Sequence, residues 1–338
     1  MKQAVMTAPG KIEIRSADPP APQAGQVLLR VRRVGICGSD VHVYHGRHPY
    51  CRYPMVQGHE FSATVEAVGE GVEGLAAGQK VTALPQTVCG ECPSCRRGQF
   101  HICHRLKVDG FGMRGAAQEL YAVAADRVVP LPEAFSFEQG AFVEPLAVAV
   151  HAVQQAGEVA GKNVAVLGAG PIGNLTAQVA RAAGARCLLT DVSAFRLDVA
   201  RQCGFEHTSD AAGESLRDAA RRAFGTDGID AAFDCAGAPA SIEAAVGAVS
   251  KGGTIVVVAV FSEPAPVNLG RVQNDELTLR GTMMYWRYDY LRAIEAMQSG
   301  EVDTDPLDSR HFPLAEFAAA YAFIEQAGPE AMKVFIDV

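Results

Sequence analysis

The sequence has no apolar run long enough to cross a bilayer. Its longest strongly apolar stretch, Ile255 to Phe261, falls far short of the ~20 residues a spanning helix requires, and it reads as a buried strand. There is no excess of positive charge either. Lys and Arg number 30 against 38 Asp and Glu, a formal net charge of −8, which speaks against a nucleic-acid surface and for plain solubility. An apolar leader is also missing: Met1-Lys2-Gln3-Ala4 runs into a mixed, strand-like stretch, so no signal peptide is expected and the cytoplasm is the default location. No internal repeat or low-complexity segment stands out.

What is present is an ordinary globular composition. At 338 residues and 49% hydrophobic, two domains with cores that need no disulfide staples are the natural expectation. Residues 1–144 are rich in Gly, Pro and short β-branched runs. Val27–Val31 and Phe61–Val68 look like strands, and an irregular β-rich domain is expected. Beyond Pro145 the pattern alternates. Leu146–Gln155 reads as helix, Asn163–Leu167 as strand, Ile172–Ala183 as helix, Cys187–Thr190 as strand and Arg196–Cys203 as helix. The strands Ile229–Phe233 and Thr254–Val260 follow, with Ser241–Val249 helical between them. Such alternation implies a doubly wound parallel sheet over 145–281. Residues 282–338, with a helix at Leu314–Gln326 and a strand at Lys333–Val338, are expected to return to the first domain.

The strand ending at Leu167 runs into Gly168-Ala169-Gly170-Pro171-Ile172-Gly173, and a helix follows. This is a dinucleotide-binding pattern in its required strand–turn–helix context. Gly168 permits the turn, Gly170 lets backbone approach a pyrophosphate, and Gly173 lets helix pack on strand. The N-terminus of the helix adds unpaired N–H groups and dipole for the phosphates. Asp191, at the end of the next strand, stands where a ribose-binding carboxylate is expected and favours NAD over its 2′-phosphorylated form. Arg196 can hold a 2′-phosphate, lie against adenine, or simply be solvated.

Nine cysteines are an odd number in a chain expected to be cytoplasmic, so metal is a better reading than disulfides. Cys89, Cys92, Cys95 and Cys103 sit close together on a Gly- and Pro-containing loop. Four thiolates can close a tetrahedral shell round a structural zinc, the alternatives being an iron–sulfur cluster or free thiols. A second constellation is dispersed: Cys37, the pair His59-Glu60, and Glu144. Together they supply three protein ligands of a catalytic zinc with one position left open, the third being either glutamate.

Taken together, the Gly35-Ile36-Cys37-Gly38-Ser39-Asp40 segment, Gly58-His59-Glu60, the four-cysteine lobe, Glu144-Pro145 and the glycine turn resemble the zinc-containing medium-chain dehydrogenase/reductase family, over the whole chain. The likeness is greatest to its polyol (sorbitol-type), butanediol and threonine dehydrogenase branch. It implies an α/β protein with a GroES-like catalytic domain and a Rossmann domain, assembled as dimers or tetramers. It implies two zinc ions per chain and NAD. Cys37, His59 and Glu60 match the branch's catalytic zinc ligands, and Glu144 matches a further carboxylate near the metal. Ser39 and His42 match the proton-relay positions, though Ser39 can also cap a helix starting at Asp40 or Val41. Tyr285 matches a substrate-contacting tyrosine, while Met284 and Val43 replace a substrate-contacting Arg and Tyr, which implies a less polar pocket. The implied reaction is oxidation of a secondary alcohol, a polyol or diol, to a ketone. L-threonine oxidation is the alternative within the class, and a zinc-free dinucleotide-binding protein the alternative outside it. The loop of Arg47, His48 and Tyr50 is not placed by sequence.

Overall fold

A strand of eleven residues, Gln26–Ile36, organises the first part of the chain. Its β-branched and leucine side chains are mostly buried, Val27, Leu29, Val31 and Val34 almost completely. Burial on this scale fixes register, because a slip of one residue would move the whole apolar set to the other face. The structure is a computed structural model that describes residues 1–48, 51–226, 228–261 and 263–338. It divides into two compact units, Met1–Glu144 with Asp308–Val338, and Pro145–Leu307.

In the first unit the sheet runs in the order Asp308–Pro313, Lys333–Asp337, Gln26–Ile36, Glu60–Val68, Lys80–Ala83, Val128–Pro130, with Leu120–Ala124 also paired to Gln26–Ile36. Register sets Gly35 opposite Glu60 and Ile36 opposite Val334. The ends of three strands therefore meet at one place. Phe61, Val65, Val81, Tyr121 and Ile336 belong to the core beneath them.

The second unit holds a six-stranded sheet in the order Thr208–Asp210, Arg186–Asp191, Asn163–Leu167, Ile229–Asp234, Val249–Val257, Thr278–Gly281, every neighbouring pair parallel. Counted along the chain this is the order 3-2-1-4-5-6 of a doubly wound dinucleotide-binding sheet. Val164, Ala165, Val166, Leu188, Leu189, Ala232 and Phe233 are all buried, as strands covered on both faces require. The strand order reverses between Asn163–Leu167 and Ile229–Asp234. The ligand-binding crevice of such sheets opens at that point, beyond the carboxyl ends of the strands.

Several elements differ in extent from those expected. A single helix, Phe137–Gln155, continues through Pro145, and the division between the units falls inside it. Ser193 starts the helix Ala194–Gln202, its hydroxyl accepting from Arg196 N. Residues 282–307 belong to the second unit. Their helix, Arg287–Gln298, buries Tyr290, Ala293, Ile294 and Met297, and the Gln178 amide brackets the backbone of Asp303 at 2.9 and 2.7 Å. No helix among the described residues is long and apolar enough to cross a membrane.

Two glycines of the turn after Asn163–Leu167 are demanded by the chain itself. Gly168 has a φ of +95°, and a Cβ on Gly173 would lie 1.7 Å from the Gly168 carbonyl oxygen. Gly173→Ala should therefore destabilise the second unit by about 1–3 kcal/mol or more, the range for overpacking. Thermal unfolding checks this; an unchanged midpoint would show that the helix can move away from the turn at no cost.

Candidate active site

The strand ends of the first unit gather a set of metal-ligating groups. Cys37 follows the last residue of Gln26–Ile36, Glu60 opens the neighbouring strand with His59 just before it, and Lys333 opens the final one. The donor atoms of Cys37, His59 and Glu60 all lie within 4.8 Å of one another. A tetrahedral zinc shell of one sulfur, one nitrogen and one oxygen spans ~3.3–3.8 Å between donors, so small shifts close it. Glu144 is buried in helix Phe137–Gln155 and its charge reaches both His59 and Lys333. It does not belong to the three-atom cluster.

Each ligand is held by a partner. Cys37 is the residue that caps the helix Gly38–Tyr44, so Ser39 is not its N-cap. Asp40, three residues on, accepts from Cys37 N at 3.0 Å, the backward reach of a capping box. The other Asp40 oxygen stands 3.6 Å from Nδ1 of His59, and that nitrogen is buried with no hydrogen-bond partner. Gln57 donates to Asp40, and the Tyr321 hydroxyl donates to Gln57 at 2.7 Å. A carboxylate behind the imidazole is the usual support of a metal-binding histidine. Burial disfavours a charged ring at His59. The Asp40 carboxylate, Cys37 and Glu144 nevertheless hold its pKa well above the ordinary value. The pocket of negative donors attracts positive charge.

The partner of Glu60 is Lys333, which sequence reasoning missed. Its ammonium donates to both carboxylate oxygens, at 2.8 and 2.6 Å, with both side chains almost wholly buried. Burial pulls the Lys333 pKa down, but Glu60 and Cys37 raise it above the usual lysine value, so the ammonium keeps its charge. Gly35 makes room for it: a Cβ there would fall 2.4 Å from a Glu60 oxygen. A lysine inside the apolar run Met332-Lys333-Val334-Phe335-Ile336 was the available signal.

The second metal-ligating group lies in the loop closed by the short ladder Gln86–Thr87 with Lys107–Val108. The sulfurs of Cys89, Cys92, Cys95 and Cys103 are 3.4–3.9 Å apart for the contacting pairs. Four sulfurs about 2.3 Å from one tetrahedral centre would be ~3.8 Å apart, so the cluster fits zinc. Backbone N–H groups of Cys92, Cys89 and Arg105 point at these sulfurs at 3.3–3.4 Å. Burial opposes ionisation of Cys89, but Arg105 and the Cys92 N–H bring it down to about 6. Cys95 is pushed up to about 12 by burial and by its sulfur neighbours. Four sulfurs converging this closely suit a shared cation.

At the glycine turn of the second unit, Ala169 N donates to Asp191 at 2.7 Å and Ser193 N to its other oxygen at 2.9 Å. Arg196 reaches to 3.8 Å from the same carboxylate. Pro171 and Ile172 open the helix Pro171–Ala182. Gly170 adopts an extended conformation open to any residue, and a Cβ on it would come no nearer than 3.8 Å to the chain, at the Arg196 guanidinium. Nothing in the protein requires glycine there. A ligand approaching the start of the helix would.

Ser39 and His42 are half-buried, three residues apart on Gly38–Tyr44, and so share a face. Val43 is fully buried in the core of the first unit. Tyr285 is fully buried in the second unit, its ring 5.3 Å from that of Tyr290. Met284, beside it, has a left-handed φ of +53°. His48 stacks on Phe111, whose ring also lies 4.9 Å from that of His59; Tyr50 lies outside the described residues.

Lys333→Met leaves the Glu60 charge buried without its partner. Loss of a partner from a buried pair costs about 3–5 kcal/mol, so the thermal midpoint should fall markedly. Lys333→Met combined with Glu60→Gln should recover much of that loss. No recovery in the double variant would show that the pair is not the source of the penalty.

Comparison with known proteins agrees with this geometry. Residues 23–133 match the alcohol dehydrogenase GroES-like domain, and residues 171–299 the zinc-binding dehydrogenase domain. The 2-dehydro-3-deoxy-L-galactonate 5-dehydrogenase of Pseudoalteromonas atlantica is 38% identical over 94% of this chain and 93% of its own length. Among solved structures, a zinc-binding dehydrogenase of Sinorhizobium meliloti bound to NADP superposes with a TM-score of 0.92 at 30% identity, over 100% of this chain and 99% of that one. An Escherichia coli alcohol dehydrogenase complexed with NADH gives 0.93 at 28%, with the same coverage. With its GroES-like domain, its parallel dinucleotide-binding sheet and this pattern of matches, the chain belongs to the zinc-containing medium-chain dehydrogenase/reductase family.

Proposed function

We propose that this protein is a zinc-dependent, NAD-linked dehydrogenase that interconverts a secondary alcohol, a polyol or diol, and the corresponding ketone. The observation that carries the reading is the convergence of Cys37, His59 and Glu60 within 4.8 Å, backed by Asp40 behind the imidazole. Three protein donors make a metal centre with a position left for substrate, whereas a closed four-sulfur set suits a structural ion. Zinc held by Cys37, His59 and Glu60 would supply Lewis acidity that lowers the pKa of an alcohol oxygen, as it lowers that of water to ~7. Glu144 supplies a further buried negative charge beside that centre. Ser39 and His42, on one face of a two-turn helix, carry the released proton toward solvent, a task for which an imidazole is suited. The second zinc sits among Cys89, Cys92, Cys95 and Cys103. The glycine turn receives the cofactor pyrophosphate and Asp191 its ribose. The carboxylate repels a 2′-phosphate, which favours NAD, although Arg196 stands close enough to offset part of that repulsion. Tyr285 contributes to substrate contact in the same reading, and assembly as a dimer or tetramer belongs to it as well.

Cys37→Ser should lower zinc content from about two ions per chain to about one. It should abolish alcohol oxidation while NADH still binds, as read by nucleotide fluorescence. A variant that keeps both its metal and its turnover removes Cys37 from the ligand set.

Asp191→Asn removes the charge but keeps the shape. The ratio of kcat/KM with NADP to that with NAD should rise about tenfold, the scale of one nearby unit charge at a partly exposed site. A ratio that stays constant would show that Asp191 does not select the cofactor.

A further inference from the structure

A cavity of about 630 Å³ lies wholly within the first unit, and its charge is one-sided. Arg15, Arg52, Lys107 and Arg114 line it, and no Asp or Glu does. Arg15 is already paired with Glu13 at 2.7 Å. Arg52, Lys107 and Arg114 make no ion pair among the described residues. This concentration of free positive charge occurs in a chain whose net charge is −8, so it does not follow from composition. The cations come from separate places in the sequence and are brought together only by folding. The volume is that of a small-molecule site, typically ~300–1,000 Å³.

The cavity adjoins the metal-ligating cluster. Phe111 forms part of its wall, and the same ring packs against His59 with centroids 4.9 Å apart. Val56 lines it too, three residues before His59 in the chain. A ligand with a carbon backbone can therefore meet apolar wall and cationic rim together. An ammonium group would find no carboxylate among the lining residues, which disfavours a zwitterionic amino acid here. A neutral sugar alcohol would leave three cations unanswered.

We propose that this cavity receives the acidic end of the substrate, so that the alcohol oxidised is a polyhydroxy acid and not a neutral polyol. The inference rests on the dehydrogenase reading above and narrows its substrate class. Arg52, Lys107 and Arg114 select the anionic end by charge-assisted hydrogen bonds, the stronger kind. A terminal carboxylate and a terminal phosphate ester share this chemistry, and the test below separates them.

The probes are D-gluconate, D-glucitol and D-glucitol 1-phosphate, which differ only at C1 of one six-carbon chain. Binding of each to the zinc-loaded protein is measured by calorimetry, which needs no turnover. Gluconate should bind at least about tenfold more tightly than glucitol, and Arg52→Gln combined with Arg114→Gln should weaken gluconate by about tenfold or more, the scale of lost hydrogen bonds to a charged group. That advantage should shrink as salt is added. In turnover assays with any acid and neutral polyol both oxidised, the ratio of their kcat/KM values should fall in the double variant. Glucitol 1-phosphate binding more tightly than gluconate would assign the acidic end to a phosphate ester. Equal binding of gluconate and glucitol to the unmodified protein, or equal gluconate binding with and without the two arginines, overturns the proposal. Gluconate that binds at the cavity without competing against an oxidised alcohol also overturns it, because the anion is then no part of the substrate. Failure to oxidise any alcohol, with gluconate binding intact, counts against the dehydrogenase reading alone.

Discussion

A buried carboxylate cannot stand next to a thiol and an imidazole without compensation, and the ion pair between Glu60 and Lys333 provides it. The pair joins residues 273 positions apart in the chain. It places the C-terminal strand beside Gln26–Ile36 and fixes the end of the sheet where Cys37 and His59 emerge. Gly35 is small because the pair crosses over it. In a low-dielectric interior such a pair gives little net stability relative to well-packed apolar groups, yet it is costly to break. Its effect is positional. It orients Glu60 by two hydrogen bonds while leaving the carboxylate within reach of the other two donors.

The rest of the metal-ligating cluster follows the same logic of support from behind. Tyr321 and Gln57 form a line of hydrogen bonds that ends at Asp40, whose carboxylate stands 3.6 Å behind the His59 ring. The ring packs on its side against Phe111. The groups that can touch a metal are thus carried at strand ends and at the cap of one short helix, and the groups that aim them come from that helix, a third strand, a loop and a C-terminal helix. Removing a supporting residue would misplace a ligand without deleting it, which is why outer-shell partners matter nearly as much as ligands.

The parts of this arrangement that could be read from sequence are those in which chemistry is local. Gly168, Gly170 and Gly173 announce a turn because three glycines at fixed spacing sit between an apolar strand and a helix. Four cysteines within fifteen positions announce a metal lobe. The strands Asn163–Leu167 and Ile229–Asp234 show as short apolar runs because both of their faces are covered. Other parts were not legible. Thr208–Asp210 is polar, three residues long and at the edge of its sheet, so it carries no periodic signal. Pro145 reads as a helix boundary, yet the helix passes through it. Lys333 stands out as a charge within the apolar run Met332–Ile336, but nothing along the chain names Glu60 as its partner. The grouping of Arg15, Arg52, Lys107 and Arg114 has no signature at all along the chain, since only tertiary folding sums their charges. Residues that build a site by proximity in sequence can be found by spacing; those that build it by proximity in space are found only where, like Cys37 and His59-Glu60, they sit in segments that resemble a known family.

The four-cysteine lobe has an interior of an unusual kind. Its buried apolar cluster consists of Cys92, Cys95 and Cys103, with Val88, Cys89, Phe100 and Leu106 packed round them. Hydrocarbon alone is too sparse there to replace what sulfur contributes. When an ion bridges those sulfurs, binding energy becomes folding energy for that segment, and its order follows the free concentration of the ion by mass action. A cell short of zinc would then lose the architecture of this lobe along with any chemistry elsewhere.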